Sequence, residues 1–290
     1  MRIAFIGAGN VGTALAVLLH RAGHEIVGVA SRTIASASSA ATQVNAPFAT
    51  DPLAFAKAAD VVFITTPDRA IAAVCEQTAA GNGFSPQTVV IHTSGAHSST
   101  ILATAEACGA YPLSFHPLQT FANPDAGREN LSGSFITIEG HEQALPIGRT
   151  LVADLQCKLL EIPTEGKALY HAAACIACNY ITTVIDAALV TMEAAGVQRE
   201  DGLPALYPLL KGTLNNIMSV GTTNALTGPI ARGDTDTVET HLTQMEKKLP
   251  AMIPFYSMLA CATVELATTK GTLGPEERAI LLKLCGGEKE

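Results

Sequence analysis

The sequence predicts an α/β chain in which a doubly wound parallel sheet is followed by an all-helical second domain, divided into residues 1–163 and 164–290. Three observations carry this. A glycine turn lies between a short apolar run and a helix-compatible stretch, within the first dozen or so residues. Apolar runs of strand length then alternate with helical stretches as far as Glu161, the pattern of a parallel sheet with crossover helices. From Lys167 onward only helical periods remain, broken at 196–202, 220–233 and 270–275.

Arg2-Ile3-Ala4-Phe5-Ile6 has the composition of a fully buried strand, and Gly7-Ala8-Gly9-Asn10-Val11-Gly12 follows it directly. Thr13 to Ala22 is a helix stopped by Gly23, and Glu25 to Ala30 is the second strand. Strand, glycine turn, helix and strand in this order are the context of a dinucleotide fingerprint, so the fold is Rossmann-like. Gly7 permits the tight turn, Gly9 lets main chain approach a pyrophosphate, and Gly12 lets the helix pack on the strand. With Asn10 and Val11 they form the expected phosphate cradle, where free backbone N–H groups and the helix dipole favour an anion. An NAD site places Asp or Glu at the end of the second strand to hold the ribose 2′-hydroxyl. Here Ser31 and Arg32 stand there. An arginine beside a hydroxyl suits a 2′-phosphate, which points to NADP(H).

Ala35 to Val44 and Asp51 to Ala59 read as helices, the second with Asp51 as its cap and Pro52 at its first position. Asp60 to Thr66 is a buried strand ended by Pro67-Asp68. Loops at the carboxyl ends of parallel strands form the ligand crevice, so Thr65, Thr66, Pro67 and Asp68 are expected at the cofactor. After a helix over 71–80, the strand Thr88 to His92 ends in Thr93-Ser94-Gly95 on the same edge, which adds Ser94. A short helix over 101–108, a strand over 110–115 running into His116, a strand over 134–139, a helix over 145–155 and a last strand over 158–161 complete the first domain.

Lys167, Tyr170, His171, Cys175, Cys178 and Asn179 lie on the helix that opens the second domain. Lys167 and His171 are four residues apart and share a face. A lysine near a carbonyl can stabilise oxyanion charge and donate a proton, with His171 or His116 assisting; Lys167, His116 and His171 are therefore the catalytic candidates. A cation at a helix N-terminus is mildly unfavourable, a cost that suggests a purpose. Asn179 can hold a substrate carboxylate or hydroxyl. The polar stretch 223–234 contributes Thr227 and Arg232, a bidentate carboxylate ligand, while Asp234 doubles as a helix cap. Cys175-x-x-Cys178 lacks a second Cys/His pair at zinc spacing and reads as core, so no metal site is expected.

The composition agrees: 48% hydrophobic, 15% charged and no tryptophan suit tightly packed helices around a buried sheet. A net charge of −8 without a basic run argues against a nucleic-acid partner. Seven cysteines scattered among apolar neighbours fit free thiols in a reducing cytoplasm. No uninterrupted apolar run of membrane-spanning length and no leader peptide are evident, so neither membrane nor export is expected.

Four motifs together resemble one family: the glycine turn with Ala30-Ser31-Arg32; Ser114-Phe115-His116-Pro117-Leu118-Gln119-Thr120-Phe121; Gly166-Lys167 with Tyr170-His171 and Asn179; and Leu226-Thr227-Gly228-Pro229 with Arg232-Gly233-Asp234. It is the bacterial Rossmann-like oxidoreductases whose C-terminal helical domain was long catalogued as of unknown function. The family looks like a branch of the superfamily of 6-phosphogluconate and β-hydroxyacid dehydrogenases, ketopantoate reductase and pyrroline-5-carboxylate reductase. The resemblance implies NADPH-dependent reduction of a small, ketopantoate-like 2-oxo acid, with Lys167 matching the superfamily's catalytic lysine. β-Hydroxyacid dehydrogenases carry asparagine four residues later, where this chain has His171. The resemblance also implies a homodimer formed through the helical domains. A pyrroline-5-carboxylate type of imine reduction is the alternative activity, and a non-catalytic dinucleotide sensor the alternative outside enzymes.

Overall fold

A computed structural model of the chain describes residues 1–286. They form two compact units by main-chain contacts, Met1–Ala177 and a second that begins at Cys178. The change from strands to helices comes earlier, after Glu161, so the first unit also includes the start of the helical region.

The first unit is built on one eight-stranded sheet in the order β3-β2-β1-β4-β5-β6-β7-β8. Its strands are β1 (Arg2–Ile6), β2 (Glu25–Ala30), β3 (Phe48–Ala49), β4 (Val61–Ile64), β5 (Val89–His92), β6 (Tyr111–Pro117), β7 (Phe135–Gly140) and β8 (Lys158–Glu161). Helices α1 (Asn10–Arg21), α2 (Ile34–Thr42), α3 (Leu53–Ala56), α4 (Asp68–Ala80), α5 (Ala103–Glu106), α6 (Pro124–Leu131) and α7 (Leu145–Asp154) connect them. Successive residues of a strand point to opposite faces. Ile3, Phe5, Val61, Phe63, Val89 and Ile91 enter one buried cluster. Their neighbours Ala4, Ile6, Val62, Ile64 and Val90 enter another. Burial on both faces explains why these strands read as continuous apolar runs. Phe5 stacks on Phe63 at 4.9 Å between ring centroids, and Phe115 meets Phe63 edge-on at 5.8 Å.

Two expectations are corrected. The sheet is not wholly parallel: β7 pairs antiparallel with β6, and β8 follows β7 in parallel, so the last two strands are reversed. The helix expected over 51–59 has only its central turn, although Asp51 does accept the Leu53 N–H at 2.9 Å. The two-residue β3 is too short for a periodic signal. By contrast, α6 carried one that was overlooked, since Asn123 caps it by accepting the Ala126 N–H at 2.8 Å, with Pro124 next.

The helical region begins with a 3₁₀ turn over Thr164–Gly166 and α8 (Lys167–Cys175), followed by a π-turn over Ile176–Tyr180. The second unit continues through α9 (Ile181–Ala194), α10 (Arg199–Ala225), α11 (Thr235–Lys248), α12 (Ile253–Lys270) and α13 (Pro275–Leu284). Its core joins Ile230, Val238, Ala260, Val264, Ala267, Leu281 and Leu282. Gly221 takes φ 77°, which puts a kink near the end of α10. Two helical stretches, Thr164–Ala194 and Pro250–Lys270, are long and apolar enough by composition to cross a membrane. Small alanines around isolated polar residues keep the mean hydropathy high without making an unbroken apolar run.

Candidate active site

The strand order reverses between β1 and β4, and loops at the carboxyl ends of these strands bound a cavity of about 880 Å³. Its floor is the turn from Gly7 to Val11, which ends where Gly9 caps α1. Gly7 has φ 119°, and a Cβ there would lie 2.6 Å from the Thr65 carbonyl carbon. Only glycine fits. Gly12 does not line the cavity; it lies beneath, where a Cβ would collide with the Thr65 hydroxyl and the Gly7 carbonyl oxygen. At Gly9 an added Cβ would meet nothing within 4 Å. The absent side chain at Gly9 therefore leaves room for a ligand, whereas those at Gly7 and Gly12 serve internal packing.

The other predicted contacts divide in the same manner. Thr65 lines the cavity, but its hydroxyl donates to the Gly7 carbonyl oxygen at 2.7 Å and locks the turn to β4. Thr66 and Pro67 also line it, and the Thr66 hydroxyl is buried without a partner among the described residues. Asn10 uses its side-chain amide on the carbonyl oxygens of Phe121 and Ala122, at 3.0 and 3.1 Å, and so ties down a loop whose Phe121 borders the cavity. Ser31 and Arg32 stand at the rim, with Arg32 exposed. Thr33, whose hydroxyl caps α2, and Ser36 and Arg69 lie there too, and sequence reasoning named none of the three. Ser94 donates its hydroxyl to Asp68 at 2.8 Å and accepts the N–H groups of Ala96 and His97 at 3.2 Å, so it braces the loop after β5.

Beyond that loop lies the second half of the site. Gly95 lines the cavity, and a Cβ on it would sit 2.6 Å from His171 Nδ1 and 2.8 Å from His116 Nε2. The two imidazoles therefore back directly onto Gly95. His116, near the end of β6, shares a 2.9 Å hydrogen bond between Nδ1 and the Tyr170 hydroxyl. Lys167 is the first residue of α8 and only 2% exposed. Its Nζ donates to the Ser114 hydroxyl at 2.7 Å and lies 5.5 Å from the centre of the Tyr170 ring, a cation–π distance. The structure thus brings Lys167, His116 and His171 together from β6 and α8. Ser114, fully buried, opens one of the family motifs, but its part as the lysine's partner was missed because a lone serine within an apolar strand does not say what it bonds.

Burial sets the charge states here. It pulls the Lys167 ammonium down from its ordinary range to about 8, against the opposing pull of Glu139 and Asp68. Burial, reinforced by the Lys167 charge, lowers His116 to about 3, and the same two causes lower His92 to about 3. At neutral pH the cluster therefore presents a mostly charged amine beside a neutral His116.

The remaining candidates belong to the second unit. Asn179 is exposed in the π-turn, and Thr227 is exposed in the loop before a 3₁₀ turn that ends at Arg232. The Arg232 guanidinium is 66% exposed and 4.0 Å from the Asp234 carboxylate. Asp234 is indeed a cap, accepting the Thr237 N–H at 3.1 Å. Cys178 is exposed instead of core, and Cys175 is half-buried at 3.6 Å from His171 Nε2. Every residue from Ile176 to Val184 is exposed, so Cys178 has no core around it to enter.

Two sequence families account for most of the chain: a Rossmann-like domain matches residues 1–117, and a domain of unknown function, DUF2520, matches residues 134–263. No functionally curated protein matches. Among solved structures, protein TM1727 of Thermotoga maritima is 26% identical, with a TM-score of 0.69 over 99% of this chain and 100% of its own. A Bacteroides fragilis protein, provisionally assigned as an NADP oxidoreductase, is 24% identical with a TM-score of 0.72 over 91% of this chain and 98% of its own. A reductive aminase of Aspergillus terreus, solved with NADPH and ethyl levulinate, is 19% identical with a TM-score of 0.64 over 97% and 98%. The chain therefore joins a Rossmann-like domain to a DUF2520 domain, and it shares its fold with these solved structures along nearly its whole length.

Proposed function

We propose that the protein is an NADP(H)-dependent oxidoreductase that reduces the carbonyl of a small 2-oxo acid, with ketopantoate the first compound to try. The observation that carries this reading is Lys167, a buried amine that donates to Ser114 and faces the Tyr170 ring, whose hydroxyl bonds the His116 that backs onto Gly95 of a dinucleotide-sized cavity. The residues present fit the cofactor: Gly9 faces open space at the start of α1, where main-chain N–H groups receive a diphosphate. Ser31 and Arg32 take the 2′-phosphate, and the Thr66 hydroxyl is free to bond the ligand.

When bound, the reduced nicotinamide supplies the hydride. As the carbonyl carbon receives it, negative charge grows on the oxygen, and the Lys167 ammonium stabilises that charge and donates the proton. A group that titrates near 8 is still mostly charged at neutral pH and is a stronger acid than an ordinary lysine. His116, neutral and bonded to Tyr170, keeps that ring beside the ammonium. His171 is the second candidate in the proton path. Asn179, Thr227 and Arg232 are proposed to hold the substrate's carboxylate and hydroxyl. A second copy of the chain is proposed to cover apolar side chains left exposed in α10, such as Tyr207, Leu209 and Met218, which sedimentation at micromolar concentration checks.

Imine reduction is the second reading, since the aminase shares the fold. A protonated imine would meet a like charge in Lys167, which favours the carbonyl. NADPH oxidation across a panel of 2-oxo acids and cyclic imines tests this. Turnover of imines alone overturns the carbonyl reading, and tight NADPH binding without any turnover leaves a sensor.

A further inference from the structure

We propose that Glu139 is a positioning residue for Lys167, a buried carboxylate that keeps the amine charged and anchors the start of its helix; this rests on the reading of Lys167 as proton donor. Glu139 lies on β7, directly opposite Ser114 of β6 in the antiparallel register. Cross-strand partners project from the same face with Cβ atoms about 5 Å apart. The hydroxyl that receives the Lys167 ammonium and the carboxylate are therefore neighbours.

Glu139 is 2% exposed and held by three donors: the Ser99 N–H at 2.7 Å, the Ser99 hydroxyl at 2.8 Å and the Thr164 hydroxyl at 2.9 Å. Carboxylates are almost never buried without compensating partners. The Thr164 bond ties the turn just ahead of α8 to the sheet, three residues before Lys167. The charged and titratable groups around the ammonium are Glu139 on β7, Asp68 on α4, His92 on β5, His116 on β6, and Tyr170 and His171 on its own helix. Both histidines on the strands are neutral, so Glu139 and Asp68 supply the negative charge. Asp68 already receives the Ser94 hydroxyl in the loop brace, whereas Glu139 joins the Ser99 turn and the Thr164 turn ahead of Lys167 through one carboxylate.

The test follows Lys167 directly, by NMR of 13C-lysine-labelled protein with the signal assigned by Lys167→Met. The native midpoint is expected at about 8. Glu139→Gln should lower it by about one unit and shift the alkaline fall of kcat/KM to the same extent, with NADPH affinity retained. A purely structural role would instead lower turnover evenly across pH and leave the midpoint in place, which overturns the proposal. The titration needs no substrate, so a failed search for turnover sinks the reductase reading while leaving this result legible. Should Glu139→Gln not fold, Glu139→Asp decides. With the charge kept, its midpoint must stay within about half a unit of native, and a fall of a full unit overturns the proposal.

Discussion

The two ends of the cavity are made of different material. The end at Gly7–Val11 is main chain, shaped by three glycines with separate duties and by the start of α1. The end behind Gly95 is side chain, assembled from Ser114 and His116 on β6, Glu139 on β7 and Lys167 on α8. A backbone site lies within one short segment and needs glycine at fixed offsets. A side-chain site can draw its members from anywhere the register brings together. That contrast predicts how each end should fail.

The largest effect belongs to the side-chain end. Lys167→Ala removes the proposed proton donor and should lower turnover by about 10²–10⁴ while changing the NADPH dissociation constant by less than about twofold. Parallel losses in both quantities would show that the two ends are not separable. Near-normal turnover would remove Lys167 from the role.

Acid should also strike the side-chain end. His92 and His116 have folded values near 3, below the ordinary 6.5, so the unfolded chain binds more protons between those limits. Stability should be complete above pH 6.5 and fall as the pH drops towards 3, with a slope of up to about 1.4 kcal/mol per pH unit for each histidine. Lys167 acts in the same direction on the alkaline side: lowered from 10.5 to about 8, it lets stability rise with pH between those values. Urea unfolding across pH checks both limbs. A His116→Gln/His92→Gln variant that keeps the full acid slope would place its origin elsewhere.

Within the backbone end, two glycines three residues apart should part company. Gly12→Ala forces a methyl against the Thr65 hydroxyl and the Gly7 carbonyl and should cost about 1–3 kcal/mol of stability. Gly9→Ala meets no protein atom, and its extended backbone suits alanine, so stability should change by less than about 0.5 kcal/mol. Its methyl would stand where the diphosphate approaches, and NADPH should bind about tenfold or more weakly. Thermal melts with and without NADPH separate these outcomes. Unaltered NADPH binding in Gly9→Ala would mean that the cradle holds something else.

The difference in material also explains what the sequence could reveal. The glycine turn, the strand at Asp60–Thr66 and the loop at Ser94 were all readable, because spacing alone marks them. Lys167 and His171 were readable because they stand four apart on one helix. Ser114 and Glu139 were not: each looked like one more residue of a buried strand, and only the antiparallel pairing of β6 with β7 sets them opposite each other. That reversal had itself been misjudged, since alternating strands and helices suggest a parallel neighbour. The roles of Thr65 and Ser94 were hidden for a related reason, because their hydroxyls brace Gly7 and Asp68, partners far away in the chain.

Arg32 offers the smallest and finest test of the backbone end, because it is the one cofactor candidate there whose charged side chain, not main chain, would decide selectivity. It stands exposed at the rim, where a fork of N–H donors can reach a 2′-phosphate through water-washed surface. Exposure limits the worth of such a contact, so Arg32→Ala should weaken NADPH by about tenfold, not by thousands. NADH lacks the phosphate and should bind within about twofold of native. Isothermal titration with both cofactors at low and high salt measures the difference, and the NADPH loss should shrink as salt screens the pair. Equal losses for the two cofactors would mean that Arg32 supports the fold of the rim; selectivity would then pass to Arg69, the other cation that lines the same cavity.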